Sequence, residues 1–257
     1  MKGIKKHTHK EREKIVGEMV PLIKEQFGDS LIALAAQASY ARGDDTDYSD
    51  LELIAFLKEI PGGKSIEGMS RIRDGLLIEL MWTTRDAYIS RIKDVNEEWY
   101  ISGSDILLPL INEELISELN CYKIENLEKK CLKQAVRHWP EVQEATTKLL
   151  NAIEQENRQG LPLLILYLMK DIMISLSYLN QTPYTTLAKY VSEVRVLKIK
   201  PSRFEELLDL IVEGKYRDLQ SLKELAISVF EELEGIYEGL GCQLYDNSPE
   251  LKIEKNW

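Results

Sequence analysis

Asp50 and Glu52 stand two residues apart at the head of the apolar run "LELIAFL" (51–57). Residues two apart on a strand point to the same face, so these carboxylates would be neighbours. A third acid, Glu79, lies alone inside another apolar run, "LLIELMWTT" (76–84), and joins them if the two strands pair side by side. Three ionised carboxylates converging at about 4 Å repel by roughly 4 kcal/mol per pair at an effective dielectric near 20, so the cluster needs a cation. Hard oxygen ligands on a rigid sheet suit Mg²⁺, with phosphates completing its shell. Two such ions about 3.5 to 4 Å apart assist an in-line displacement at phosphorus. Taken alone, Asp50 and Glu52 equally describe a solvated strand end. Glu79 is the sharper signal, because Leu77, Ile78, Leu80 and Met81 flank it with apolar side chains.

Just upstream, "QASYARG" (37–43) offers Ser39 and Arg42 in a turn. Between a strand and a helix, backbone N–H groups and a serine hydroxyl can cradle phosphate oxygens, and arginine adds a bidentate contact. The alternative is a tight connection in which Gly43 takes an unusual backbone angle. Further on, Glu144 and Lys148 are four residues apart in a helical pattern, a spacing that serves one cleft or an ordinary surface ion pair.

The elements that must position these residues follow from periodicity. Thr8 and Glu11 have capping-box spacing, and Ile15, Val16, Met19, Ile23 and Phe27 recur at helical intervals, with Pro21 expected to bend the helix and Gly28-Asp29 to end it. "LIALAAQ" (31–37) fits a buried strand. The 51–57 run is apolar on both faces apart from Glu52 and predicts a central strand covered on both sides. "PGGKSIEG" (61–68) is a turn-rich loop, and 76–84 is a third strand. From about residue 86 helices dominate, with segments at 125–138, 141–157, 162–179, 184–197, 203–213 and 218–240. The organisation is α+β: a mixed sheet with helices over 1–120, then a helical bundle over 121–257.

The 257 residues suffice for two cores, and 44% hydrophobic with 30% charged residues describes a soluble globular chain. A formal charge of −10 argues against a nucleic-acid partner and favours a cationic small molecule. Cys121, Cys131 and Cys242 show neither a disulfide framework nor a zinc pattern, and read as reduced cytoplasmic thiols. The basic N-terminus lacks the apolar stretch of a signal peptide. His7 and His9 read as surface residues, and His138, before Trp139-Pro140, as a helix-end residue. Trp82, Trp99, Trp139 and Trp257 are candidates for lining an acceptor pocket or for packing. The apolar run 161–179 carries Lys170-Asp171 at its middle, which favours a buried or interfacial helix over a membrane span.

"ASYARG" followed by "YSDLEL", with an acid on a later strand, resembles the signature of the polymerase-beta-like nucleotidyltransferases, in which a Gly-Ser turn precedes a Ser-Asp-x-Asp/Glu strand. "EREKIVGEM", "FGD", "SYAR" and "YSDLEL" together resemble the N-terminal part of the kanamycin nucleotidyltransferase family; the likeness is clear over about 10–85 and resurfaces at Leu161-Pro162 and "YTT" (184–186). The resemblance implies a Mg²⁺-dependent transfer of a nucleoside monophosphate from ATP or another NTP to a hydroxyl of an aminoglycoside-type antibiotic, releasing pyrophosphate. It implies Asp50, Glu52 and Glu79 as metal ligands, Ser39, Arg42 and Lys148 as nucleotide contacts, and Glu144 as general base. It also implies a cytoplasmic homodimer, with the 162–179 helix a candidate interface element. Ala38 departs from the pattern by standing where the family has glycine, so crowding of the phosphates or a strained backbone is expected there. A binding module of the same fold with little or no catalysis is the alternative.

Overall fold

The structure is a computed structural model that describes residues 3–245, so Trp257 lies outside the described residues. The chain divides into two compact units, Met1–Asn126 and Leu127–Trp257.

In the first unit, helix α1 (His9–Phe27) opens with the expected capping box: the Glu11 carboxylate accepts the Thr8 N–H at 2.7 Å and the Thr8 hydroxyl accepts the Glu11 N–H at 3.3 Å. The helix continues through Pro21 and closes at Gly28. Strand β1 (Leu31–Gln37) leads into the short helix α2 (Ala38–Arg42), and β2 (Leu51–Leu57) follows the loop between them. Next come β3 (Ile66–Arg73), β4 (Leu76–Thr84), α3 (Arg85–Ile92), α4 (Trp99–Ser102), β5 (Leu108–Ile111) and α5 (Glu113–Asn120).

The five strands form one sheet in the order β3-β4-β2-β1-β5, in which β2 and β4 run parallel and the other pairs antiparallel. Strand β2 is central, as its apolar faces predict. Leu51, Leu53 and Ala55 pack with Val16 and Ile23 of α1 on one side. Ile54 and Phe56 pack with Ile89 of α3 and Ile116 of α5 on the other. Two strands were not legible. Strand β3 overlaps the segment read as a loop, because it is an edge strand exposed along nearly its whole length and has no apolar alternation to betray it. Strand β5, at the opposite edge, is four residues long and contains Pro109, which only an edge tolerates well.

The second unit comprises α6 (Leu127–Glu154), α7 (Leu161–Leu179), α8 (Tyr190–Arg195), α9 (Phe204–Val212) and α10 (Leu219–Gly239). Helix α6 replaces the two expected segments at 125–138 and 141–157, running unbroken through Pro140. His138 is therefore a mid-helix residue whose Nε2 lies 3.5 Å from the buried Asp171 carboxylate, rather than a helix end. Trp139 is buried, stacked on Phe230 at 4.9 Å between ring centres. Helix α7 is long and apolar enough to cross a membrane by length and composition alone. Two-thirds of that stretch is nevertheless buried within the protein, and Asp171, Ser175 and Ser177 are buried along it, so α7 is a core helix of its unit. Leu163 and Leu166 remain exposed on it.

Candidate active site

The parallel pairing of β2 with β4 sets Glu52 directly opposite Glu79. The neighbouring pairings extend the row across four strands: Gln37 of β1 opposes Glu52, and Ser70 of β3 opposes Glu79. Each polar side chain in the row has a partner. The Gln37 amide donates to Glu52 at 3.1 Å, and the Ser70 hydroxyl donates to Glu79 at 3.0 Å. Asp50 precedes β2 by one residue and Glu52 by two.

Burial pushes the Glu52 carboxyl above its usual range; the Gln37 amide counters this in part, and Asp50, Asp105 and Glu79 add repulsion. Burial also raises Asp50, against its own backbone hydrogen bond, with Glu79 adding repulsion and Arg12 the one opposing cation. Among the described residues no three acids, histidines or cysteines converge tightly enough to be a ready-made metal cage. The donor set still fits a hard divalent cation: oxygen ligands at a rigid sheet, of which Asp50 and Glu52 are destabilised as anions by burial and by neighbouring acids, gain most from a positive ion between them.

The loop that delivers Asp50 is fastened by a residue not singled out in the sequence. Arg12 is wholly buried, and its guanidinium donates to the carbonyls of His7 (2.8 Å), Thr46 (2.7 Å) and Ser49 (2.6 and 3.1 Å) and to the Asp45 carboxylate (2.9 Å). Position 12 extends the stripe of Val16, Met19 and Ile23 by one turn, so an arginine on an inward face was the available signal. His9 also bonds Asp45, at 2.7 Å, and stacks on Tyr40 at 4.8 Å. His7 is buried rather than at the surface.

Ser39 and Arg42 both lie on α2. The helix begins at Gln37 without a side-chain cap and closes at Gly43, which is left-handed at φ +73° as the tight-turn reading requires. Ala38 is also left-handed, at φ +54°, so the residue in place of the family's glycine holds the conformation that glycine would take freely. The Arg42 guanidinium sits between two acids, 3.2 Å from Asp44 and 3.6 Å from Asp105.

Beside Glu52 opens a cavity of about 260 Å³, lined by Gln37, Tyr88, Arg91, Trp99, Asp105 and Tyr122 among others. Burial pushes the Tyr88 hydroxyl up to about 12. Trp99 is thus the tryptophan at this pocket, whereas Trp82 packs at the sheet and donates to Glu67 at 3.2 Å.

Glu144 and Lys148 belong to the second unit. They form an exposed ion pair at 2.9 Å on α6, and the Tyr167 hydroxyl of α7 lies 3.4 Å from Glu144. The Lys148 ammonium holds the Glu144 carboxyl below its usual range.

Comparison with known proteins bears on the whole chain. Residues 122–243 match the family model of the KNTase C-terminal domain. A protein of Methanocaldococcus jannaschii described as "Putative protein adenylyltransferase" is 30% identical over 110 residues, 43% of this chain and 68% of that protein. The aminoglycoside nucleotidyltransferase (4') of Staphylococcus aureus is 22% identical over 237 residues, 91% of this chain and 90% of its own. The crystal structure of a nucleotidyltransferase-like protein from Exiguobacterium sibiricum shares the fold at a TM-score of 0.51 and 12% identity, over 87% of this chain and 75% of that one. The strand-borne acids, the Ser-Arg turn and these relatives lead to one conclusion: the chain belongs to the polymerase-beta-like nucleotidyltransferases, with residues 122–243 matching the KNTase C-terminal domain.

Proposed function

We propose that this nucleotidyltransferase transfers a nucleoside monophosphate from ATP or another NTP to a hydroxyl of a small, amine-bearing acceptor of the aminoglycoside type. The observation that carries this reading is the Gln37–Glu52 end of the polar row opening onto a pocket of acidic balance, lined by Glu52, Asp94 and Asp105 with a single arginine, Arg91. Such walls favour a cation, and the volume suits one sugar ring better than a whole polypeptide segment.

In the reaction, the acceptor oxygen bonds to the α-phosphorus while the bond from that phosphorus to the bridging oxygen breaks. The electron pair leaves with pyrophosphate, and Glu144, ionised at neutral pH, takes the hydroxyl proton. Asp50, Glu52 and Glu79 would hold Mg²⁺, which supplies neutralisation of the phosphate charge. Ser39, Arg42 and Lys148 orient the triphosphate. The protein is read as a cytoplasmic homodimer, with neither nucleic acid nor membrane as partner.

Two observations favour variants of this reading. The left-handed Ala38 supports weakened nucleotide binding, and hence the binding module with little catalysis. The description of the Methanocaldococcus relative supplies a protein hydroxyl as a second acceptor class. Pyrophosphate release with Mg²⁺ and ATP or GTP, against aminoglycosides, lincosamides and hydroxyl-bearing peptides, separates the three. Aminoglycoside-dependent release, lost in Asp50→Asn and in Glu144→Gln, is the expected result. Release only with peptides reassigns the acceptor, and nucleotide binding without release under any condition favours the module.

A further inference from the structure

Arg42 is held by charge rather than by a closed set of hydrogen bonds. Its Nε donates to Asp44 at 3.2 Å. One terminal nitrogen, Nη1, is buried and has no hydrogen-bond partner, its nearest acid being Asp105 at 3.6 Å. An N–H group with unused donor capacity inside a folded protein is costly unless something arrives to accept from it. Asp105 itself is well fixed. Its N–H donates to the carbonyl of Ser102 at 3.1 Å, and two residues on, the Asn120 side chain brackets the Leu107 backbone at 2.9 and 2.8 Å. The same carboxylate lines the pocket beside Glu52.

We propose that Asp105, which lines the Glu52 pocket, is a positioning residue for Arg42, steadying the guanidinium from the Nη1 side so that the arginine can donate to a phosphate oxygen. The inference rests on the reading above that Arg42 contacts the triphosphate. Asp105 is an anion near a polyanionic substrate, so by direct action it would oppose nucleotide binding; any favourable effect must come through the arginine. That opposition of signs makes the role testable without knowing the acceptor.

The probe is the non-cleavable α,β-methylene ATP with Mg²⁺, titrated calorimetrically into the full chain and into Arg42→Met, Asp105→Asn, Asp105→Glu and the Arg42→Met/Asp105→Asn double variant. With Arg42 present, Asp105→Asn is expected to weaken binding at least threefold. With Arg42 already removed, the same change is expected to leave binding unchanged or tighten it, because only the repulsion is lost. Asp105→Glu, which keeps the charge, should lie within twofold of the parent and covers the case in which the asparagine variant folds poorly. Equal weakening in both backgrounds, or tightening in both, overturns the proposal. If Arg42→Met alone leaves binding unchanged, the assignment of Arg42 to the triphosphate fails first and is recognised by that single variant.

Discussion

Removing the Arg12 guanidinium tests whether the path from α2 to Asp50 is held from beneath. Arg12→Met would strip the partner from the Asp45 carboxylate, 1% exposed, and from the carbonyls of His7, Thr46 and Ser49. His9 remains on Asp45 but is half exposed. Breaking a buried, hydrogen-bonded charge pair by deleting one member costs about 3–5 kcal/mol. Against a typical domain stability of about 5–15 kcal/mol, that is a large fraction. The melting temperature of the N-terminal unit should fall by about 10–20 °C. Arg12→Lys keeps the charge but not the planar fork, and should cost about 2 kcal/mol through two or so lost hydrogen bonds. Thermal melts give the size of the effect, and hydrogen exchange at the amides of residues 44–50 locates it. An Arg12→Met protein within about 1 kcal/mol of the parent, with those amides equally protected, would refute the view that Arg12 fastens the loop.

Two further outcomes follow from the site. Asp50 and Glu52 are raised above their ordinary values of 3.8 and 4.5, so the folded chain binds their protons more tightly than the unfolded one; their ionisation costs stability at neutral pH, regained as pH falls through the raised values toward the ordinary ones. Mg²⁺ at ten times its dissociation constant should therefore add about 1.4 kcal/mol at pH 7.5 and much less at pH 5, by thermal shift; an equal shift in an Asp50→Asn/Glu52→Gln protein would count against these ligands. Ala38→Gly removes left-handed strain worth about 1–2 kcal/mol and adds about 0.4–1 kcal/mol of unfolded-chain entropy, leaving a gain of about 0.8 kcal/mol. A chemical-denaturation loss of 1 kcal/mol or more would mean that the alanine methyl packs to advantage.

The sequence alone determined the local pieces. The Thr8-Glu11 box and the strands at 31–37, 51–57 and 76–84 are consequences of caps and period, which operate within a few residues. The apolar flanks of Glu79 also marked it as unusual before its place was known. Only the tertiary structure decided that Glu79 lies opposite Glu52, since register between strands 27 residues apart depends on how β3 folds back along the far edge of β4. Gln37 and Ser70 enter the polar row by the same register. The partnerships of Arg12 and Asp105 were invisible for a related reason: apart from the His7 carbonyl beside Arg12, the groups their side chains reach (Asp45, Thr46 and Ser49 for Arg12, Arg42 for Asp105) lie at least 33 residues away, and no local pattern encodes a contact across that distance. Caps and alternation are written into neighbouring residues by sterics and solvent, whereas the convergence of acids and arginines exists only once long-range pairing has ordered the sheet.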